Sequence, residues 1–354
     1  MHNGCTFLCT ITYLFNNNNL SRLNHLLIMK IQSHLPVLVI ALLLSLWLPM
    51  SGCSTVHQAI EASLPPPSAS GISGMAQIDG NSWLVVHDAL SFENGPRMSI
   101  IRLPADAPPV FHPVTVDFWP DPDGRASDLE SLCAVPSRPN EYLMAESGTW
   151  KGKFGRLFHL RLDTGTNKAA ILGVMKLPVL ADNNPQQVGD QYEGIACIEG
   201  ADGRLLLLLG ERGGSQRFPD GVIRWGTIDL ERHELQFTGK GLEGVKVNAP
   251  GKWKNGLTNR DISDMHISPE GVIWLSAADD NGDNGTFASI IYSPGKITGN
   301  FNAPVMRNRH TEVWRAVSSI KIEALSGPAE SVAGSRMSIG SDDENYGGIW
   351  RPVE

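Results

Sequence analysis

The sequence repeats one short phrase, whose clearest copies are Asp128-Leu129-Glu130-Ser131-Leu132, Gln191-Tyr192-Glu193-Gly194-Ile195 and Lys321-Ile322-Glu323-Ala324-Leu325. Weaker copies occupy residues 71–75 and 261–265. Each copy leads into an apolar run, a turn, a second apolar run and then an acidic residue. This pattern indicates a pair of antiparallel strands that is repeated five times along the chain.

The third residue of each copy is its anchor, and the anchors are Ser73, Glu130, Glu193, Ser263 and Glu323. Successive anchors are 57, 63, 70 and 60 residues apart. The acidic residues that close the second runs keep nearly the same period, and they are Asp88, Glu146, Glu211, Asp279 and Asp342. A strand-rich repeat of this length is typical of a β-propeller blade. The sequence therefore predicts an all-β fold, a β-propeller of five blades with four antiparallel strands each.

Two features refine this prediction. Residues 205–209 are five consecutive leucines, which indicates a strand buried on both faces between neighbouring blades. A sixth, degenerate blade is the alternative, and residues 241–259 are where it would lie. The last repeat lacks a fourth strand, which part of residues 54–70 could supply.

The composition limits the function classes. The chain has 354 residues, of which 42% are hydrophobic and 19% charged, with 36 glycines and 23 prolines. The formal net charge of −8, without a basic stripe, argues against nucleic-acid binding. An acidic chain of this size is compatible with cation binding, and we expect a monomer.

The N-terminal region has the features of a targeting segment. Residues 1–28 have no clean basic start and indicate an over-long gene start, whereas Met29-Lys30 is a better one. Residues 35–50 form an apolar core, short for a membrane span, that is followed by Ser51-Gly52-Cys53. Residues 29–52 therefore resemble a bacterial lipoprotein signal, which implies lipidation of Cys53. An ordinary secretory signal or a membrane anchor is the alternative.

The predicted domains follow from this boundary. Residues 53–70 are a small, polar, proline-containing tether, and residues 71–354 are the propeller. Ser54, with no aspartate after the cysteine, by resemblance to enterobacterial lipoproteins implies the periplasmic face of the outer membrane. The chain would then contact the membrane by its lipid anchor only.

Two cysteines, Cys133 and Cys197, lie in the propeller region. Aligning Glu130 with Glu193 offsets them by one residue, so they point to opposite faces of adjacent blades. They either face one another or face away. A disulfide and two buried free thiols both remain open.

The topology predicts where the acidic residues meet. The start of a first strand and the end of the antiparallel second strand lie at the same rim of a blade. We therefore expect an inner group at the channel mouth, namely Glu130, Glu193, Asp264 and Glu323. Around it we expect a ligand rim made of Asp88, Glu146, Glu211, Asp279, Asp280, Asp342 and Asp343, with Glu344 beside them.

Such a ring needs neutralisation. Two like charges about 6 Å apart repel by roughly 3 kcal/mol at an effective dielectric constant of about 20. Protonation, basic partners or a bound cation would each relieve this repulsion. Arg212, Arg125 and Arg260 are near in sequence, and an oxygen-rich site prefers Ca²⁺. His87, beside Asp88, is a candidate base.

The glutamate phrases, with strands that end in Glu146-Ser147-Gly148, Gly210–Gly214 and residues 341–348, resemble the phytase-like (esterase-like) propellers and the SdiA-regulated extracytoplasmic propellers. The resemblance covers roughly residues 72–354. It implies Ca²⁺ held by propeller carboxylates, here Glu130, Glu193 and Glu323. Ser73 and Ser263 depart from the acidic pattern.

Two functions follow as hypotheses. The first is an envelope lipoprotein whose acidic, Ca²⁺-binding mouth binds a small anionic ligand through the cation, or an envelope protein. The second is a Ca²⁺-dependent hydrolase of phosphate esters or other esters, in which the ion activates water and Arg212 clamps the anion. The candidate catalytic residues are then Glu130, Glu193, His87 and Arg212.

Overall fold

The computed structural model of the protein describes residues 70–88, 95–148, 154–178, 190–251, 259–279 and 281–354. Cys53, the signal, the tether and Asp280 lie outside these residues, so their predicted roles are not addressed by the structure. All described residues belong to one compact unit. Among them, no helix has the length and apolar character needed to cross a bilayer.

Five antiparallel sheets form the blades of a β-propeller. Blade one contains β1 (Gly74–Asp79), β2 (Ser82–Val86), β3 (Met98–Arg102) and β4 (Val110–Pro113). Blade two contains β6 (Leu129–Ala134), β7 (Glu141–Glu146), β8 (Arg156–Asp163) and β9 (Lys168–Lys176), with β5 (Thr115–Val116) added in parallel to β9.

The other three blades follow in chain order. Blade three contains β10 (Tyr192–Glu199), β11 (Leu205–Glu211), β12 (Gly221–Asp229), β13 (Glu234–Gln236) and β14 (Val245–Val247), with the short helix α1 (Gly239–Glu243) between the last two. Blade four contains β15 (Asp264–Ile267), β16 (Val272–Asp279), β17 (Ala288–Ile297), β18 (Val305–Arg307) and β19 (Val313–Ser318). Blade five contains β20 (Ile322–Ser326), β21 (Met337–Ser341) and β22 (Trp350–Val353).

The five-blade prediction is confirmed, and the outer strands refine it. In blade three, β13 and β14 pair with different halves of β12. In blade four, β18 and β19 divide the edge of β17 in the same way. Residues 241–259 contain β14, a strand of blade three, so their described part does not build a sixth blade. Blade five has three strands among the described residues.

The first strands of the blades line the central channel. Each of β1, β6, β10 and β15 contacts the next first strand, and β20 contacts β1, so the ring closes. Glycines permit this close approach. A Cβ atom on Gly194 would lie 2.7 Å from the Met265 backbone nitrogen, and one on Gly74 would lie 2.7 Å from the Ser131 Cα.

Each hydrophobic cluster is shared by two neighbouring blades. Leu207 and Leu209 pack toward blade two, whereas Leu206 and Leu208 pack toward blade four. The leucine run is therefore buried on both faces, as its continuous apolar character predicts. Trp83 of blade one stacks on Trp350 of blade five, with ring centroids 4.6 Å apart, where the last blade meets the first.

Cys133 and Cys197 are free thiols in this fold. Both side chains pack into the cluster between blades two and three, so they face one another rather than away. Burial raises the pKa of the Cys197 thiol to about 12, and thiols in such surroundings are unreactive. The sequence left open a disulfide or two free thiols, and the structure has two free thiols. They border a channel cavity of about 180 Å³.

We predict that Gly194→Ala destabilises the propeller by about 1–3 kcal/mol, because the added methyl group presses on the backbone of the next first strand. Gly299→Ala is the matched control, since nothing lies within 4 Å of its added Cβ. Urea unfolding of both variants measures the difference. Equal midpoints would contradict the close packing of β10 against β15.

Candidate ligand-binding site at the channel mouth

The five anchors begin the first strands, and we call them the anchor ring: Ser73, Glu130, Glu193, Ser263 and Glu323. Each glutamate is the extra residue of a β-bulge. The strand register shifts between Leu129 and Ser131, between Tyr192 and Gly194, and between Ile322 and Ala324. A bulge redirects the side chain of its extra residue, which explains why an acid at this position repeats with the blades.

Two of the three ring glutamates pair with buried cations. Arg212 Nη2 lies 2.5 Å from Glu193 Oε1, in an ion pair without the geometry of a directed hydrogen bond. Lys321 Nζ lies 3.0 Å from Glu323 Oε1 and 2.5 Å from Glu344 Oε1. Basic partners therefore relieve part of the repulsion within the ring.

Glu130 is the third glutamate, and among the described residues it has no ion pair. Burial, followed by the charges of Glu193, Asp88 and Asp128, raises the pKa of Glu130 well above its usual range. Burial also raises the pKa of Glu323 to about 8, although Lys321 opposes that shift. The raised pKa favours the protonated, uncharged form of Glu130, which is the second way in which the ring is neutralised, whereas Lys321 neutralises Glu323 by pairing with it.

Asp264 supplies the acid of blade four, one residue after its anchor. Its Oδ2 accepts a hydrogen bond of 2.5 Å from the Leu325 backbone N–H, which links blade four to blade five. Burial raises the pKa of Asp264 well above its usual range. The structure thus brings the predicted inner group of four acids together, in a mostly protonated or ion-paired state.

The predicted rim residues divide into two kinds. Glu146 is fully buried and pairs with Arg156 at 2.6 Å, and Glu211 pairs with Arg224 at 2.7 Å. Both arginines lie on the third strand of the same blade as their partner. These two glutamates therefore hold their own blades together, and their carboxylates are already occupied.

The other rim residues lie nearer the ring. Burial raises the pKa of Asp88 to about 6 and that of Asp342 to about 7. The charge of Glu323 adds to the shift of Asp88, and the charge of Asp88 adds to the shift of Asp342. Asp343 accepts hydrogen bonds from the Lys321 backbone N–H and the Ser341 hydroxyl, both at 2.7 Å. Asp279 ends β16 and its backbone bridges to Asn259. Asp280 lies outside the described residues.

His87 differs from its predicted role. Its Nδ1 lies 2.5 Å from the Gly71 carbonyl and its Nε2 lies 3.0 Å from the Ser99 hydroxyl. Burial lowers the pKa of His87 to about 4. Because both ring nitrogens are engaged in hydrogen bonds, His87 supports the fold of blade one and has no free nitrogen to serve as a base.

Sequence reasoning missed several residues of the mouth. Asp128 and Lys321 each stand two residues before an anchor, and each lies close to that anchor's carboxyl group, Asp128 to Glu130 and Lys321 to Glu323. Burial raises the pKa of Asp190 to about 6, and its Oδ2 accepts a bond of 2.8 Å from the Gly213 N–H. A charged residue two positions before Glu130 and before Glu323 was the sequence signal that could have identified Asp128 and Lys321.

Several buried polar groups at the mouth have no hydrogen-bond partner among the described residues. They are Ser73 Oγ and Ser263 Oγ in the anchor ring, Asp264 Oδ1, Arg212 Nε, and both side-chain atoms of Asn259. The Asn259 segment lies against Arg212, whose carbonyl accepts from the N–H groups of Asp261 and Ile262. Unpaired buried polar atoms are rare in proteins, and they commonly mark a site for water or a ligand.

The calcium ion predicted from the resemblance would compete with basic partners for two of its three ligands. Ca²⁺ takes six to eight oxygen ligands. Glu193 and Glu323 are engaged by Arg212 and Lys321. Within the described ranges, no three carboxylate, imidazole or thiol groups are arranged to hold one metal ion. Calcium at Glu130, Glu193 and Glu323 stays a prediction from resemblance.

No protein-family model and no curated protein matches the chain. Solved five-bladed propellers are similar in overall architecture. An endo-arabinase from Bacteroides thetaiotaomicron has 11% identity and a TM-score of 0.46, over 82% of this chain and 96% of that one. An exo-1,5-alpha-L-arabinanase from a bovine ruminal metagenomic library has 10% identity and a TM-score of 0.44, over 81% of this chain and 95% of that one.

An endo-arabinanase from Bacillus licheniformis has 11% identity and a TM-score of 0.42, over 80% of this chain and 94% of that one. At these values the similarity concerns the propeller fold and carries no information about the site. The predicted membership of the phytase-like or SdiA-regulated families is not tested by these matches.

We predict that the protein is more stable at about pH 6.5 than at about pH 8.5. The folded-state pKa values of Glu323 and Asp342 are raised to about 8 and about 7. The folded state therefore binds more protons than the unfolded state, and stability is lost as pH rises through this window. The pKa values of His87 and His266 are lowered from 6.5 to about 4, so these two residues make stability rise with pH. That effect fades once the pH exceeds 6.5.

Melting temperatures at the two pH values test this, with an expected decrease of at least about 2 °C toward pH 8.5. Glu323→Gln should make the decrease smaller, and Asp106→Asn, at an exposed position, should leave it unchanged. A melting temperature that rises toward pH 8.5 would contradict the protonated ring.

Proposed function

We propose that the protein binds a small, uncharged, hydroxyl-rich ligand at the anchor ring. The observation that carries this proposal is the set of unpaired buried polar groups, which includes hydrogen-bond donors as well as acceptors. Arg212 offers a donor, Asp264 a carboxyl oxygen that accepts when ionised and can donate when protonated, and Asn259 and the two serine hydroxyls offer both kinds. A ligand with hydroxyl groups can donate and accept in turn, and so can satisfy all of them.

The charge balance favours an uncharged ligand over the anion that the sequence suggested. Four acids of the inner group face two cations, Arg212 and Lys321, both of which are already paired. A phosphate would have to displace Glu193 from Arg212 and leave a buried carboxylate uncompensated, which costs several kcal/mol. A neutral ligand avoids this cost.

We predict that Ser263→Ala and Asn259→Ala each weaken ligand binding about tenfold, because each leaves a ligand group unpaired. Isothermal titration with neutral oligosaccharides and polyols, a polyamine, a sugar phosphate and Ca²⁺ identifies the class. Ser338→Ala is the matched control, since its buried hydroxyl is also unpaired but lies toward the other end of β21.

Binding of the sugar phosphate or Ca²⁺ alone would contradict the proposal and favour the calcium hypothesis. Loss of binding in Ser338→Ala as large as in Ser263→Ala would show an effect on folding rather than on the site.

A second candidate function is hydrolysis of the bound ligand without a metal. The observation that favours it is the contrast between Glu130, whose pKa is raised well above its usual range by burial, and Glu193, which is ion-paired to Arg212. Neighbouring carboxyl groups in different protonation states are the arrangement that general acid–base catalysis uses. Glu130 would protonate the leaving oxygen, and an ionised carboxylate of the ring would activate water.

We predict that any turnover of a glycoside, ester or phosphoester panel falls by about 10²–10⁴ in Glu130→Gln, while ligand binding persists. The assay is run with Ca²⁺ and with a chelator, and Ser338→Ala again serves as the control. Turnover that the chelator abolishes would favour the metal-dependent hydrolase over this mechanism. Absence of turnover across the panel leaves binding as the function.

The envelope location and the lipid anchor at Cys53 remain predictions of the sequence. Neither proposal for the anchor ring depends on them, because the ring lies wholly within the propeller.

A further inference from the structure

Two histidines from neighbouring blades, neither of which belongs to the anchor ring, contact each other. His159 lies in β8 of blade two and is buried, and His233 lies in the turn between β12 and β13 of blade three. His159 Nδ1 and His233 Nε2 are 3.2 Å apart. The mechanism proposed for the channel mouth uses neither residue.

The local backbone is shaped to present the His233 ring. His233 has a φ of 54°, a left-handed conformation that is uncommon for residues other than glycine, although histidine, asparagine and aspartate adopt it more often than most. Gly173 lies beneath the ring, and a Cβ atom there would overlap it. Strained backbone that is retained in a fold is a reason to look for function at that place.

Glu141 fixes the orientation of His159. Its Oε2 lies 3.0 Å from His159 Nε2, and its Oε1 accepts a bond of 2.6 Å from Arg161. Because a carboxylate only accepts, His159 carries its proton on Nε2 and leaves the Nδ1 lone pair directed at His233. A carboxylate behind a histidine is the usual support for a metal-binding imidazole.

We propose that His159 Nδ1 and His233 Nε2 bind one divalent transition-metal ion of the zinc type and so join blade two to blade three. Two nitrogens on a tetrahedral ion with bonds of 2.0–2.1 Å are about 3.2–3.4 Å apart, which matches the observed separation. Neutral imidazole suits Zn²⁺, Ni²⁺ and Cu²⁺. His233 moves its N–H from Nε2 to Nδ1 on binding, so no proton is released.

The surroundings of the two histidines are close to neutral. Arg161 is paired with Glu141, and Arg138 with Glu231 at 2.7 Å, while Asp229 lies near His233. Within the described ranges, no third acidic, imidazole or thiol group joins the two histidines in a metal-binding arrangement. Water molecules therefore complete the coordination, which sets the expected affinity below that of a closed structural zinc site.

Titration of the untagged protein with Zn²⁺ tests the proposal. We expect saturable binding of one ion per chain and a raised melting temperature. His233→Asn should reduce the affinity at least tenfold, because asparagine tolerates the left-handed backbone but removes the imidazole. Glu141→Gln should reduce it by about 10–100-fold, which marks Glu141 as a positioning residue.

His310→Asn, at an exposed position in blade four's outer loop, is the matched control and should bind as the wild type does. No saturable binding by the wild type would overturn the proposal and leave the pair as an inter-blade hydrogen bond. Equal affinity in His233→Asn would also overturn it, because the ion would then lie elsewhere.

Discussion

The structure depends on how buried carboxyl groups are neutralised where five strands converge. A propeller brings the first residues of its inner strands to one opening, so any acid that repeats with the blades is collected there. Unscreened, each neighbouring pair would cost roughly 3 kcal/mol. The protein removes this cost by ion pairs at Glu193 and Glu323 and by protonation at Glu130, using groups from its own blades.

The repeat itself limits the number of charges. Blades one and four carry Ser73 and Ser263 in place of glutamate, and no bulge occurs at either position. Blade four supplies its acid one residue later, at Asp264, where the Leu325 N–H stabilises it. The ring is therefore asymmetric, and its unpaired polar atoms are concentrated around blades three and four. This asymmetry is what turns a structural repeat into a single site.

The fold was largely predictable because it rests on local periodicity. The anchors and the leucine run of β11 are visible in the sequence, and both lie where the pattern places them. The partners of the acids were not predictable. Whether Glu146 serves the channel or its own blade depends on Arg156, which approaches from the neighbouring strand β8, and His87 is engaged by Gly71 and Ser99. The contact of His159 with His233 joins separate blades, and no sequence pattern reports such a pairing.

The neutralised ring also determines which ligands the mouth can admit. An incoming cation would compete with Arg212 and Lys321, which are covalently part of the chain and already buried beside their carboxylates. An incoming anion would face Glu130 and Asp264, which it can approach only while both keep their protons. A neutral ligand meets neither obstacle, and its hydroxyl groups replace the water that unpaired serine, asparagine and guanidinium atoms otherwise require. The proposed selectivity for uncharged ligands thus rests on the same proton and ion-pair balance that lets the propeller close.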